Sequence, residues 1–393
     1  MAKGLLILLW VFLIARLFQK SLIEAEASPI DNNYSINRAT KGYAILLFSL
    51  PLIFAAFRTE FGDTSSYIWG FNRIKTELPL SEYLTSRGKD ELFYALEYFF
   101  KKYISSDAMV FFATIALLES VLLMHTLRRY SENLGMSIYV FVASAMFLNW
   151  MCNGVRQFLT VTILFALTDC IIKNKWYVYF PIVLLLGGVK PFFSMLGWGT
   201  PFWLFCGMHQ SVLIVIPICF IVRGRALTKK VWVLLMALLV IAALGLLDSV
   251  LESSTENTMY ANDLTYISED SGANPIRFLI SLVPVVLVLI RIKTIRNNAP
   301  PALIQLSINM SFVSSVLYLA SVFTSGIYIG RLPIYCELYN LILIPWLINH
   351  VYEKDKRILT VSLYILYLIY YIYQLFVSWG SYTYTVEMFG LSF

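Results

Sequence analysis

Long apolar runs separated by short polar segments are the dominant pattern of this chain. An α-helix needs roughly 17–25 residues to cross a bilayer, and most runs approach that length. The pattern predicts an all-α polytopic integral membrane protein in which residues 1–393 form a single transmembrane domain. We place about twelve spans at residues 4–19, 42–57, 108–126, 136–151, 155–172, 176–189, 207–222, 231–250, 276–290, 302–324, 333–350 and 358–379.

Three stretches depart from the pattern of spans and short loops. Residues 58–107 form a long loop after the second span, which is predicted, like residues 251–275, to lie on the periplasmic, non-cytoplasmic side. Its second half, residues 90–103, has helical spacing of apolar positions and predicts an amphipathic helix along the membrane surface. Residues 187–208 are apolar but broken by glycine and proline, which favours a re-entrant or interfacial segment; the alternative is another crossing. Residues 251–275 form an acidic loop.

The distribution of charge predicts the topology. Alternate short loops, which would all lie on one side of the membrane, carry 18 of the 30 basic residues, whereas residues 251–275 on the opposite side contain no Lys or Arg and five acids. Lys and Arg are enriched in cytoplasmic loops, so both termini are predicted to lie on the non-cytoplasmic side. A cleaved signal peptide over residues 1–27 is disfavoured because Arg16, Lys20 and Glu24 lie between the apolar run and the apparent cleavage site.

Composition agrees with this class of protein. Hydrophobic residues make up 59% of the chain and charged residues only 14%, against about 25% charged in an ordinary soluble domain. These values exclude a soluble enzyme, a disordered protein and a secreted disulfide scaffold. The five cysteines form no CxxC pair and are interpreted as small buried apolar residues, not as disulfides or metal ligands. No basic block with interleaved aromatics indicates nucleic acid.

Polar residues in apolar surroundings form the list of functional candidates, because an ionisable group within a span is costly. Guanidinium groups stay charged and make paired hydrogen bonds to phosphate, so arginines at one membrane face suit a lipid-linked diphosphate. An inner group contains Glu119, His125 and Asp169, which are interpreted as buried partners or a proton path. The outer group contains Arg58, Asp63, Asn153, Arg156, Gln157, Lys190, His209, Arg277, Arg331 and Glu337.

Within the outer group, Asn153, Arg156 and Gln157 place three strong polar groups on one short turn at a span boundary, which favours function. Each remaining candidate has a structural alternative. Arg277 and Arg331 could extend to lipid head groups, His209 could be a hydrogen-bonded structural residue, and Asp63 could be a solvated acid at a span end. Glu337, about four residues into a span, is harder to explain without a function.

Five motifs in order carry a family resemblance: FRTEFGDTSSYIWGF, NGVRQFLTV, MHQSVLIVIPICFIV, NPIRFLISLVPVVL and IGRLPIYCELYNLILIP. Together they resemble the EpsG-like branch of the Wzy polymerases of bacterial O-antigen and exopolysaccharide synthesis, over about residues 42–350. The most specific part is Asn153, Arg156 and Gln157 followed by His209-x-Ser211. The chain departs from the family in about twenty extra residues, roughly 188–207, so Lys190 is an alternative for part of the role of His209.

The resemblance implies a GT-C-like membrane glycosyltransferase of the bacterial inner membrane, working at the periplasmic face without cofactor or metal. Its substrate would be oligosaccharide repeat units on undecaprenyl diphosphate, with the lipid bilayer and a polysaccharide chain-length regulator as partners. The residues matched to diphosphate and substrate binding are Arg58, Asn153, Arg156, Gln157, Lys190, Arg277 and Arg331. The general base would be His209, with Asp63 and Glu337 as rivals.

Other membrane functions remain open alternatives. A lipid-linked oligosaccharide flippase would show charges along a central cavity and short loops on both faces, whereas here the arginines gather at one face. A secondary transporter would show repeated halves or paired broken helices. An O-acyltransferase would need a catalytic His on an acyl-donor route. The sequence favours the polymerase.

Overall fold

The computed structural model describes residues 2–18, 23–27, 35–85, 87, 90–144, 146–190, 207–243, 272–297, 299–326 and 329–378. These residues are predominantly helical, as the apolar runs predicted. The departure is one antiparallel pair of short strands, β1 (Ile23–Ala27) and β2 (Ser35–Ala39), in the loop after the first helix.

The amino-terminal half of the chain contains ten α-helices and one π-helical turn, Phe147–Met151, among the described residues. The α-helices are α1 (Ala2–Phe18), α2 (Lys41–Ala56), α3 (Thr64–Asn72), α4 (Leu80–Thr85), α5 (Glu91–Tyr103), α6 (Ala108–Tyr130), α7 (Leu134–Ala143), α8 (Val155–Ala166), α9 (Thr168–Ile172) and α10 (Trp176–Gly187).

The carboxy-terminal half contains eight described α-helices, three 3₁₀ turns (Gln210–Ile214, Ile329–Arg331 and Glu353–Asp355) and a second π-helical turn, Gln374–Ser378. The α-helices are α11 (Val215–Val222), α12 (Lys229–Ala243), α13 (Pro275–Ile290), α14 (Ile292–Asn297), α15 (Ala302–Phe323), α16 (Ile334–Glu337), α17 (Asn340–His350) and α18 (Lys356–Tyr373).

Helices occupy the predicted apolar segments, but only some are long enough to cross a bilayer by length and hydropathy. Three described helical segments pass: Ala108–Tyr130, Ala302–Phe323 and Glu353–Ser378; a fourth passes if Ile329–Glu337 and Asn340–His350 are one broken span. Seven shorter apolar helices of 10–17 residues accompany them. The chain is therefore a membrane protein, and the number of about twelve spans stays a prediction.

Several predicted spans are interrupted by local backbone features. The predicted span 136–151 is α7 followed by a π-helical turn, and the span 155–172 is divided between α8 and α9. Pro51, Pro181, Pro284 and Pro345 lie inside helices, where the missing N–H and the ring clash bend or break the chain. The π-helical turn and the division at residue 167 explain why α7, α8 and α9 are shorter than the apolar runs that contain them.

The chain divides into two compact units, each built from separate segments. The first unit contains residues 1–77, 97–166 and 341–393, and the second contains residues 78–96 and 167–340. In the first, Tyr139 donates to the Tyr364 carbonyl at 2.9 Å, and the Ser137 hydroxyl donates to the Leu341 carbonyl at 2.6 Å. These contacts connect segments that are more than 200 residues apart in the chain.

In the second unit, α15 is the most buried of the candidate spans. Its Asn309 side chain donates to the Val222 carbonyl at 3.0 Å and accepts from the Leu227 N–H at 3.2 Å. One side chain thereby holds both ends of the turn between α11 and α12. Leu227 has a positive φ of 55°, so this turn needs such support.

Two predicted features lie partly outside the described residues. Residues 191–206 of the broken segment and most of the acidic loop 251–275 are not described. The predicted amphipathic segment is helical, as α5. That α5 lies along the membrane surface stays a prediction, as does the treatment of the whole chain as one transmembrane domain.

Candidate functional site

The first polar cluster lies in the first unit and begins with Arg58, directly after α2. Its side chain is 2% exposed. The Nε atom donates to the Cys152 carbonyl at 2.7 Å and to the Thr64 hydroxyl at 3.1 Å, and Nη1 donates to the Ala55 carbonyl. Arg58 therefore connects the carboxyl end of α2 to the start of α3 and to the residue before the NGVRQ turn, residues 153–157.

A glycine turn holds Asn153 in the same cluster. Gly62 has a φ of +54°, and a Cβ at this position would overlap the Asn153 side chain. Asn153 Oδ1 accepts the Asp63 backbone N–H at 2.7 Å. Only glycine fits both the backbone conformation and the close approach. The Asp63 side chain itself is exposed.

Arg156 lies in the first turn of α8, close to α3. Its Cζ lies 5.5 Å from the centroid of the Tyr67 ring, a cation–π geometry, and the side chain is half-buried. Gln157 is buried beside it. A π-helical turn, Phe147–Met151, precedes the NGVRQ turn, and such turns are frequent at functional sites. The predicted trio is thus brought together with Arg58 and Asp63.

Helix α3, which carries Tyr67, is closed at its carboxyl end by a lysine. Lys101 Nζ donates to the Phe71 carbonyl at 3.0 Å and to the Asn72 carbonyl at 2.7 Å. A cation is favourable there because the last carbonyls of a helix lack intrahelical partners. Burial lowers the pKa of Lys101 below its ordinary value. This contact stabilises the end of α3, the helix whose Tyr67 ring lies against Arg156.

Glu119 of α6 supplies a buried carboxyl group to the first cluster. Its side chain is 1% exposed, and it interacts electrostatically with the Arg58 guanidinium. The Cys152 thiol interacts electrostatically with both groups, which places the three side chains in one neighbourhood. Among the described residues, Glu119 Oε1 accepts no hydrogen bond. The sequence analysis interpreted this acid as a buried partner or part of a proton path.

The two other inner candidates have different surroundings. Asp169 forms an ion pair with Lys173 at 3.1 Å, four residues along the chain, and His125 is exposed. An exposed pair of this kind contributes little to stability.

The second polar cluster lies in the second unit and is built around Glu337. This side chain is 6% exposed, and its Oε2 accepts the Tyr318 hydroxyl at 3.0 Å. The Arg277 guanidinium attracts the Glu337 carboxyl, and Arg277 Nε is buried with no hydrogen-bond acceptor among the described residues. The cluster thus combines a buried acid, a phenol and a cation.

The segment that carries Glu337 contacts three separate elements through alternate residues. The Tyr335 hydroxyl lies 2.9 Å from the Ser211 hydroxyl, and the Tyr339 hydroxyl lies 3.0 Å from the Thr168 hydroxyl. Glu337, between them in sequence, accepts a hydrogen bond from Tyr318 of α15. These contacts hold the break between α16 and α17 in one conformation, and they connect the predicted His209-x-Ser211 motif to the IYCELY segment.

His209 and Lys190 come from segments that cross closely in the second unit. The Leu186 carbonyl accepts the Met208 N–H at 2.6 Å and the His209 N–H at 3.0 Å. A Cβ at Gly207 would overlap the Leu186 carbonyl and the Gly188 nitrogen. His209, which directly precedes the 3₁₀ turn Gln210–Ile214, therefore lies against the end of α10. Lys190 follows three residues after that helix ends. Both side chains are half-buried.

Arg331 is the most exposed predicted arginine of the second unit. It ends the 3₁₀ turn Ile329–Arg331, and the turn is anchored because the Gly330 N–H donates to the Ser325 carbonyl at 3.1 Å. Within the described ranges, no group of three or more His, Cys, Asp or Glu side chains has a metal-binding arrangement. The roles of all the predicted site residues stay predictions.

Sequence reasoning missed four residues that complete these clusters. Thr64 and Gly62 support the NGVRQ turn, while Tyr318 and Tyr335 support Glu337 and Ser211. The glycine between Phe61 and Asp63 was a usable signal, because glycine next to an acid after a span end indicates a turn. The tyrosines lie in apolar runs, where nothing in the pattern separates them from lipid-facing aromatics.

Comparison with known protein families decides the relationship. The profile described as the EpsG family matches residues 41–189 and 199–386. The chain belongs to the EpsG family. No curated protein and no solved structure matched the chain.

Membership of the EpsG family confirms the resemblance on which the sequence analysis relied and indicates a membrane protein of polymerase-like function. The match covers both polar clusters, including Arg58, Arg156, Arg277 and Glu337. It is interrupted between residues 189 and 199, inside the stretch predicted to be additional, and Lys190 falls in that interruption.

Proposed function

We propose that this EpsG-family protein is a polysaccharide polymerase of the bacterial inner membrane, of GT-C-like type, acting at the periplasmic face. It would join oligosaccharide repeat units carried on undecaprenyl diphosphate. The observation that carries the proposal is the placement of Arg156, a cation over Tyr67 in the first turn of α8. The amino end of a helix favours anions because its first N–H groups lack intrahelical partners.

The proposed reaction transfers the growing chain to an incoming unit. The bond between the anomeric carbon of the growing chain and the diphosphate oxygen breaks, and its electron pair leaves with undecaprenyl diphosphate. The acceptor hydroxyl oxygen bonds to the anomeric carbon, and a base takes its proton. Arginines near the leaving diphosphate would stabilise the charge that develops there. Arg156, Arg277 and Arg331 are the candidates for this role.

Three groups are available as the base. Glu337 is the best supported by its surroundings, because Tyr318 orients its carboxyl and Arg277 supplies a nearby cation. His209 is a candidate because histidine is the residue type most often used for proton transfer. Asp63 is exposed and lies in the same turn as the Asn153 contact. A base must lie within hydrogen-bond reach of the acceptor hydroxyl, so substitution of each in turn identifies it.

A strain that lacks the gene tests the proposed function. The expected phenotype is loss of long polymer with single repeat units still transferred, because units would cross the membrane but not be joined. Wild-type complementation should restore the ladder, and a well-expressed Arg156→Ala variant should not. Arg73→Ala is the matched control. Arg73 directly follows α3, and its Cζ lies 3.6 Å from the centroid of the Trp69 ring, but it lies outside the NGVRQ turn.

Two results would contradict the proposal. A normal ladder from Arg156→Ala would remove Arg156 from the reaction. Loss of even the single-unit product, with lipid-linked repeats trapped on the cytoplasmic side, would favour the flippase alternative.

A further inference from the structure

Arg58, one of the arginines of the predicted diphosphate site, directs Nε and Nη1 into the protein. Nε and Nη1 donate to two backbone carbonyls and one hydroxyl of the first unit. At 2% exposure, the side chain is enclosed by protein. A guanidinium in this state is a poor ligand for a substrate phosphate, because binding would first require these internal hydrogen bonds to break.

The Cys152 carbonyl is the point through which Arg58 can act on the site. It accepts from Arg58 Nε at 2.7 Å and from the Thr64 hydroxyl at 3.3 Å. The Cys152 N–H donates to the Phe147 carbonyl at 3.0 Å and ends the π-helical turn. Cys152, directly before Asn153, is therefore held through both its carbonyl and its N–H.

Asn153 extends this restraint to α3, whose Tyr67 ring lies against Arg156. Its side chain accepts the Asp63 N–H at 2.7 Å, and the Asp63 carbonyl accepts the Tyr67 N–H at 3.0 Å. Hydrogen bonds and short backbone segments thus connect Arg58, the NGVRQ turn and the helix that carries Tyr67. The Arg156 guanidinium lies over the Tyr67 ring at the end of this connection.

Glu119 lies in the same buried neighbourhood as Arg58. Its side chain is 1% exposed and interacts electrostatically with Arg58 and with the Cys152 thiol. A buried carboxyl group that can carry the opposite charge lowers the cost of placing a guanidinium in the protein interior. The sequence analysis interpreted this acid as a buried partner or part of a proton path.

We infer that Arg58, Thr64 and Glu119 are positioning residues that fix the NGVRQ turn and thereby place Arg156 for the lipid-linked diphosphate. The inference rests on the proposed function, and it replaces the predicted contact between Arg58 and the substrate. It predicts that changes to these buried residues weaken diphosphate binding without removing any group that touches it.

Binding of undecaprenyl diphosphate to the purified full-length protein in detergent tests the inference, with the thermal unfolding midpoint measured on every sample. Thr64→Val keeps the shape of Thr64 but removes its hydroxyl, and it should weaken binding about fivefold. Thr64→Ser restores the hydroxyl and should bind like wild type. Thr114→Val is the control, since Thr114 is exposed and donates only to the Val110 carbonyl of its own helix.

Glu119→Gln provides a second variant that keeps shape and removes the charge; it should also weaken binding per folded molecule. Wild-type affinity in Thr64→Val, or a Thr64→Ser variant as weak as Thr64→Val, would overturn the positioning role while leaving the proposed function intact. Wild-type protein that does not bind undecaprenyl diphosphate would overturn the proposed function and this inference with it.

Discussion

The two polar clusters use arginine in opposite ways. Arg58 of the first unit directs its donors at backbone carbonyls and a hydroxyl and is nearly completely enclosed. Arg277 of the second unit is half-buried, and its Nε has no acceptor among the described residues. Both lie beside a buried carboxyl group, Glu119 in the first case and Glu337 in the second.

The difference separates an enclosed arginine that holds the fold from one that is partly accessible to a ligand. Removing the enclosed guanidinium destabilises the protein, because its carbonyl acceptors are left without this donor. A partly exposed guanidinium has fewer internal hydrogen bonds to lose and can offer N–H groups to a phosphate oxygen. Four predictions test how far this contrast holds, in order of decreasing effect.

The contrast predicts its largest effect for a matched pair of arginine substitutions. Arg58→Met should lower the free energy of unfolding by about 3–5 kcal/mol, because it removes the hydrogen bonds of a charged group to the Cys152 and Ala55 carbonyls, each worth about 1.5–3 kcal/mol. Arg277→Met should change stability by much less and shorten the polymer instead. Thermal unfolding in detergent and the polymer ladder measure the two effects. An Arg58→Met protein of normal stability that makes no polymer would erase the distinction.

Gly62→Ala should destabilise the first cluster by about 1–3 kcal/mol, because alanine is strained at positive φ and its Cβ overlaps Asn153. Gly70→Ala is the matched control within α3, where a Cβ meets open space. Alanine there should be neutral or stabilising by about 0.5–1 kcal/mol. The unfolding midpoints of the two variants are compared. Equal midpoints would refute the requirement for glycine at the close approach between residue 62 and the Asn153 side chain.

Tyr318→Phe removes the hydroxyl that donates to Glu337 at 3.0 Å. If Glu337 is the base, loss of this hydrogen bond should slow polymerisation about tenfold, since a bond to a charged group is worth about 1.5–3 kcal/mol and part of that acts on orientation. Stability should change less than activity. The rate of polymer growth in a complemented strain is the measurement. Full activity would direct attention to His209 as the base.

Tyr67→Leu should have the smallest effect, a loss of about two- to fivefold in affinity for undecaprenyl diphosphate, as expected for a partly exposed cation–π contact of about 0.5–1 kcal/mol. Tyr67→Phe retains the ring and should bind like wild type. If both variants bind equally weakly, the hydroxyl and not the ring holds Arg156, and the cation–π account is wrong.

Much of the fold followed from the apolar pattern, and less of the site did. Period and length placed the helices, including α2 and α15, within a few residues of their bounds, because apolar runs between polar loops have few alternatives. The same pattern could not reveal the breaks after α7 and α16, since a π-helical turn and a two-residue interruption do not alter hydropathy. The grouping of Asn153, Arg156 and Gln157 was found because the three lie on one turn.

The partners of those residues were hidden because their contacts are distant in sequence. Thr64 meets Cys152 across 88 positions, and Ser211 meets Tyr335 across 124. Threonine, serine and tyrosine are ordinary residues in membrane helices, so their composition carries no signal of such pairing. The predicted role of Arg58 shows the limit most clearly, because an arginine after a span has the same sequence context whether it faces substrate or a backbone carbonyl.

The sequence by itself determined that this chain is a helical membrane protein of the EpsG family and which polar residues are costly enough to require an explanation. That much depends on local composition, spacing and ordered motifs, which the chain carries in every conformation. Only the tertiary structure decided which of those residues are enclosed and what accepts their hydrogen bonds. Burial and pairing are properties of segments brought together from distant positions, and they separate Arg58 from Arg277 where the sequence could not.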